Sequence, residues 1–291
     1  MDYRRLKPYH GLLLFAVVIA ALVFIATPLQ YNFGIIGVAL TELMLLALTA
    51  AAFFITRPHF GQTFPLRLPP VREFFGGAFI YAGTYLLMIP PLLLTQYFFP
   101  QINDTADSLA KLGTSVPPAL TILIIAVMPA ICEETLHRGY ILSSLKPIKN
   151  TALIVLINGL IFGIFHLDPF RFLPTMMLGC AFAYIALKTE SMVLTMLFHF
   201  INNLLDVHHA VERRAEDASG DAARVRDRGR IDLRRDRGSA AFRWRVYAPP
   251  DRAESHGYRG GGDRRNRHFG HWCYHYRLFL DNDRLQFKRH I

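Results

Sequence analysis

Three short stretches of this sequence set ionisable or amide side chains one helical turn apart in apolar surroundings. The first is Glu133-Glu134-Thr135-Leu136-His137-Arg138. On a helix Glu134 and Arg138 are four apart and can pair, while Glu133 lies about 100° round the axis and faces elsewhere. One acid is thus neutralised by its own helix and the other is left free. The second is Phe162-Gly163-Ile164-Phe165-His166, in which Phe162 and His166 share a face. The third is His199-Phe200-Ile201-Asn202-Asn203, in which His199 and Asn203 share a face within the apolar run 192–205. A carboxylate with an imidazole activates water as a general base. A second imidazole with an amide donates hydrogen bonds to a developing oxyanion. Together they form an inventory for hydrolysing an amide without a Ser or Cys nucleophile.

Each stretch alone has a plainer account. The first could be a salt bridge at a helix end. His166 could be an interfacial histidine at a helix C-terminus, where imidazolium suits the dipole. His199 and Asn203 could hold helices together by hydrogen bonds. The three combine differently. Charged groups at membrane depth cost at least about 2.5–3.5 kcal/mol each on insertion scales, so they have partners or tasks. Three polar faces on three helices of one bundle would converge on a common cavity.

The elements that must position them are membrane helices. The chain has 291 residues, 52% hydrophobic and 19% charged, with a formal charge of +10. That charge is unevenly placed. Residues 1–207 hold 12 Lys+Arg against 10 Asp+Glu, whereas 208–291 hold 20 against 12, and 19 of those 20 cations are Arg. A uniformly basic nucleic-acid binder and a simple soluble globule are both excluded. A spanning helix needs roughly 20 apolar residues. The runs 11–30, 33–55 and 74–99 qualify, the second with one acid, Glu42, and the third broken by Pro90-Pro91, which should kink it. The shorter runs 118–132, 151–165, 172–187 and 192–205 can cross where their polar ends are buried in protein. The expectation is an all-α polytopic transmembrane bundle of about seven spans. The first run reads as a span and not as a cleaved signal peptide. Cys132, Cys180 and Cys273 are isolated, with no CxxC, so neither a disulfide framework nor a Cys-based zinc site is expected.

Cations set the orientation. Arg4, Arg5 and Lys7, then Arg57, Arg67 and Arg72, then Lys146 and Lys149 fall at alternate ends of the spans, and the intervening loops are cation-poor. The N-terminus is therefore expected in the cytoplasm of a multi-pass cell-membrane protein.

The order EExxxR, FxxxH, HxxxN on successive membrane helices resembles the CAAX protease and bacteriocin-processing (CPBP) family. This is the group of type II CAAX prenyl endopeptidases and abortive-infection-type bacterial membrane proteins. Glu133, Glu134 and Arg138 match the first motif, Phe162 and His166 the second, and His199 and Asn203 the third. The resemblance covers roughly 118–206; the first three spans fit only as family-like helices. It implies an intramembrane endopeptidase acting in CAAX-box protein maturation or on a bacteriocin-type peptide. Glu133 would activate water and His166 would help to position it. His199 and Asn203 would stabilise the oxyanion. Glu134, Arg138 and Phe162 would order the site. No cofactor is expected; zinc held by two His and a Glu is the alternative, but HExxH is absent and one acid is tied to Arg138. The implied partners are membrane lipid and a peptide or protein substrate, with no nucleic acid. Two other classes share the residues: a non-catalytic membrane protein with an immunity or scaffold role, and a transporter, which would usually show internal repeats. No repeat is visible here.

Other polar residues take simple readings. Glu42 suits interhelical hydrogen bonding better than a proton role. Asp168, before Pro169, suits a loop or helix start, though it could orient His166. His137 and Cys132 receive no role.

The division expected is 1–117 as N-terminal helices, 118–207 as protease core and 208–291 as an Arg-rich tail. Stretch 213–252 lacks apolar periodicity and is expected to be largely disordered. Its cations are interleaved with acids, and Arg so dominates Lys that codon composition explains it better than selection for charge. A GC-rich gene read in the wrong frame gives such a mixture. A frameshift near 206–210 would have replaced a final membrane helix, and translating all frames of the gene checks this.

Overall fold

Apolar runs this long have few ways to satisfy their backbone in lipid, and helix is the simplest. The computed structural model describes residues 5–99 and 111–228, with side chains up to Glu212 apart from Ala210; it is helical, with no strand among the described residues. Among the described residues seven long helices follow one another: α1 (Pro8–Phe33), α2 (Ile35–Thr56), α3 (Val71–Phe98), α4 (Pro118–Ile148), α5 (Thr151–Phe165), α6 (Phe172–Thr189) and α7 (Met192–Arg228). Every expected apolar run lies on one of them. Five, namely α1, α2, α3, α4 and α6, are long and apolar enough to cross a membrane. The other two fall short for visible reasons. α5 has only 15 residues, about 22 Å of helix. The apolar part of α7 is interrupted by His199, Asn202, Asn203 and Asp206.

α3 runs through Pro90 and Pro91 as one helix. Each proline lacks the N–H that would bond the carbonyl four residues back, here Leu86 and Leu87, and membrane helices tolerate this where neighbouring groups take up the freed carbonyls. The last helix continues past its apolar part to Arg228. The segment after 207 has no proline before that point, and Glu212 meets His208 at 3.2 Å one turn away. The rest of the tail, with the expectations of disorder and of a frameshifted product beyond Arg228, lies outside the described residues.

α1 and α4 each contain a wide, π-type turn just before a proline: Leu22–Ala26 before Pro28, and Ile122–Val127 before Pro129. Proline lacks an N–H and crowds the carbonyl one turn back, so the helix widens to pass it. A third wide stretch, Thr135–Ile141, has no such proline and lies within the first polar motif. Wide turns of that kind are frequent at functional sites.

α4 is the central helix, packed by α1, α2 and α7. Leu14, Val18 and Leu22 of α1, Leu45 of α2, and Leu136, Tyr140 and Ile141 of α4 share one buried cluster. A second cluster joins Leu178, Phe182 and Ile185 of α6 to Leu194 and Phe198 of α7, with Tyr81 of α3 against it. α5 and α6 approach closely because glycines line their seam. A Cβ on Gly179 would stand 2.8 Å from Phe162 Cβ, and one on Gly159 would stand 2.9 Å from the Met176 carbonyl. That seam fixes Phe162 and His166 relative to α6. α3 leaves Phe75, Phe79, Leu86, Leu87 and Tyr97 exposed, as an apolar solvent allows.

The segment between α2 and α3 straps the helix ends. The Thr63 carbonyl accepts from Ser143 Oγ at 3.2 Å, the Arg67 carbonyl from Ser191 Oγ at 2.6 Å, and the Pro65 carbonyl from Met192 N–H at 2.9 Å. Arg67 also donates to the Thr189 carbonyl and meets Glu73 at 2.7 Å. These bonds hold the start of α7 in register with α4, and so set His199 opposite the two glutamates.

Candidate active site

Glu134 stands at the middle of the polar cluster. Its Oε1 accepts from Arg138 Nη1 at 2.7 Å, with both side chains sealed from solvent. The same oxygen accepts from His199 Nδ1 at 2.9 Å. The i,i+4 pair read from the spacing is therefore present, and it reaches across to α7 as well. Arg138 is held through both terminal nitrogens, while its Nε has no hydrogen-bond partner among the described residues. Nη2 donates to the Gly179 carbonyl at 3.3 Å, and the guanidinium lies 4.3 Å from the Phe162 ring centre and 5.1 Å from that of Phe182. Desolvated contacts of this kind are worth about 2 kcal/mol each.

Glu133 Oε2 stands 3.9 Å from His199 Nε2, so the two adjacent acids address the two nitrogens of one imidazole. Glu133 Oε2 is buried and has no hydrogen-bond partner among the described residues. The distance is too long for a hydrogen bond.

His166 closes α5. Its Nδ1 lies 2.8 Å from the Phe162 carbonyl, which can only accept, so Nδ1 carries the hydrogen and Nε2 of the neutral ring is left as an acceptor. Its ring meets Phe162 edge to face at 4.9 Å. Phe162 also meets His199 in the same way at 5.8 Å, so one aromatic ring touches the second motif, the third and Arg138 of the first.

Asn203 is the motif residue outside this cluster. It is half-buried one turn beyond His199, and its Oδ1 accepts from Asn202 Nδ2 at 3.4 Å. Asp168 takes the loop role: Oδ1 accepts from the Phe170 and Arg171 amides at 2.9 and 3.4 Å.

Four further residues complete the surroundings. Phe182 stands 5.8 Å from the His199 ring as well as against Arg138. Nothing distinguishes it in sequence from other apolar residues of α6. Asn158 is fully buried and donates through Nδ2 to the His137 carbonyl at 3.1 Å. An amide inside an apolar run is a signal that the sequence does carry. His137 is fully buried, with Phe162 and Phe165 edge to face on its ring at 5.0 and 4.8 Å. Glu42 is buried on α2, and its Oε2 has no hydrogen-bond partner among the described residues.

Among the described residues no three His, Cys, Asp or Glu groups are gathered as metal ligands. His199 is engaged through Nδ1 by Glu134 Oε1 and His166 through Nδ1 by a backbone carbonyl, which leaves Nε2 of each ring.

Residues 115–205 match the family model described as type II CAAX prenyl endopeptidase Rce1-like. All three motifs fall inside that segment, and the match bears out the resemblance read from them. No curated protein and no solved structure matches the chain. A protease-family segment thus lies within a chain of several membrane-length apolar helices, as in a multi-pass membrane hydrolase acting on peptides.

Proposed function

We propose that this chain is an intramembrane endopeptidase in which Glu133 activates the water that cleaves the peptide bond. One observation carries the proposal: of two adjacent buried acids, Glu134 is tied through Oε1 to Arg138 and His199, whereas Glu133 makes no hydrogen bond among the described residues and its Oε2 stands 3.9 Å from His199 Nε2. Glu133 takes a proton from that water, and the acceptor nitrogen Nε2 of His166 helps to hold it. The hydroxide attacks the carbonyl carbon of the scissile bond, and the charge passes to the carbonyl oxygen. His199 and Asn203 donate hydrogen bonds to that oxyanion. For His199 this requires hydrogens on both nitrogens, and Glu134 balances the resulting charge through Nδ1. Glu133 then returns its proton to the leaving nitrogen as the C–N bond breaks. No step needs a metal.

The substrate class is a peptide at the membrane, either a prenylated CAAX-like C-terminus or a bacteriocin-type peptide. The family description favours the first. The cationic loops support a cytoplasmic N-terminus, with the strap between α2 and α3 on the same side. The test is cleavage of a fluorogenic farnesylated CAAX peptide by purified protein in lipid nanodiscs, wild type against Glu133→Gln. Loss of cleavage in the variant supports the assignment, and retained cleavage overturns it.

A further inference from the structure

We propose that Asn158 is a positioning residue of the same site: it fastens α5 to the first motif, and so sets Phe162 and His166 against Arg138. Asn158, Phe162 and His166 follow at intervals of four along α5 and its C-terminal cap, and share one face of it. That face grips one residue of α4, His137, by its carbonyl and by its ring. Asn158 Nδ2 donates to the His137 carbonyl at 3.1 Å, and the Phe162 ring stands edge to face on the His137 imidazole at 5.0 Å. A carbonyl can only accept, so the amide nitrogen is the end that faces it.

The hydrogen bond lands inside the wide stretch Thr135–Ile141. There the Leu142 N–H reaches back five residues to the same carbonyl, and Asn158 takes the second lone pair. Arg138 is the next residue along. Its guanidinium lies 4.3 Å from the Phe162 ring centre and pairs with Glu134 at 2.7 Å. Phe162 also touches the His166 ring at 4.9 Å, and its carbonyl accepts from His166 Nδ1 at 2.8 Å. Direct contacts therefore lead from Asn158 to His166 and to the Glu134–Arg138 pair. Asn158, His137 and Phe162 are all sealed from solvent, so no water takes over a lost donor. Asn158 Oδ1 has no hydrogen-bond partner among the described residues. An amide with one end unsatisfied is a costly choice for packing alone, where leucine would fill the space. What the amide adds is a fixed register of α5 on α4.

The proposal rests on the protease reading, so its first test does not use cleavage. The full chain in nanodiscs, with isotope-labelled histidine rings, is followed by NMR, and the His166 signals are identified by their loss in His166→Gln. Asn158→Leu keeps the volume and removes the donor. It should shift or broaden the His166 signals and leave those of the exposed His208 in place. Ile154→Ala, a packing loss one turn earlier on the same face, should leave both in place. His166 signals that hold still in folded Asn158→Leu, or that move as far in Ile154→Ala, overturn the proposal. These results stand even if Glu133→Gln still cleaves, which would sink the protease assignment alone.

Kinetics give the second readout. Asn158→Leu should lower kcat about 10- to 100-fold and leave KM within about twofold, as a small misplacement of groups around the reacting centre would. The loss should run through Phe162, so that in a Phe162→Leu background Asn158→Leu costs less than about threefold. A kcat within about twofold of wild type, or full additivity with Phe162→Leu, refutes the idea. Asn158→Ala, which removes the donor without adding bulk, is the second variant and should give the same two results. Unfolding midpoints in mixed detergent identify the folded variants.

Discussion

Removing Glu134 alone should cost more than removing it together with Arg138. In the wild type both side chains are fully sealed, 2.7 Å apart. Glu134→Leu leaves the guanidinium buried with only the Gly179 carbonyl and two aromatic faces, and leaves His199 Nδ1–H without its acceptor. Breaking a buried pair from one side typically costs about 3–5 kcal/mol, because an uncompensated charge remains. Replacing both partners by apolar groups of similar size is often neutral. The double variant Glu134→Leu/Arg138→Leu removes the charge as well; it loses the His199 hydrogen bond, about 1–3 kcal/mol, and the Arg138 contacts with the Gly179 carbonyl and the two rings, which leucine packing partly replaces. The assay is equilibrium unfolding in mixed SDS and dodecyl maltoside for wild type, both single variants and the double. The account expects a coupling of at least about 1 kcal/mol, with the double more stable than Glu134→Leu. Additive losses, or a single variant within about 0.5 kcal/mol of wild type, would refute the reasoning that the pair is a desolvated unit.

Three further outcomes follow from the geometry. Gly179→Ala should destabilise by about 1–3 kcal/mol, since its Cβ would press on Phe162, whereas Gly83→Ala, with nothing within 4 Å, should be neutral or stabilising in the same unfolding assay. Asn203→Ala should lower kcat by about 10²–10³ with little change in unfolding midpoint, as one donor to an oxyanion would; an unchanged kcat would exclude Asn203 from the chemistry. Dialysis against a strong chelator should leave the cleavage rate unaltered, and inactivation restored by added zinc would replace the glutamate mechanism with a metal one.

The helices were legible because lipid makes the signal simple: long apolar runs must become helices, and all seven expected runs did. Their ends were less legible. α7 outruns its apolar part because Ala, Glu and Arg sustain helix without hydrophobic patterning. Within the site, Glu134–Arg138 follows from a spacing of four. The approach of Glu133 to His199 does not, since it depends on how α7 packs against α4. A lone acid in the second span, Glu42, is visible in the sequence, but its burial where α2 packs on α4 is a tertiary fact. Phe182 was invisible for the same reason, because only its position makes it different from the other apolar residues of α6.

The division of labour between two neighbouring acids is the central claim, and kcat of Glu133→Gln against that of Glu134→Gln measures it most directly. Both substitutions keep size and remove charge. The account predicts that Glu133→Gln abolishes cleavage of the farnesylated peptide while its unfolding midpoint stays near wild type. Glu134→Gln should lose stability first, and should keep measurable turnover wherever it is folded. Cleavage that survives in Glu133→Gln, or is abolished only in a folded Glu134→Gln, would contradict the assignment of Glu133 as the base.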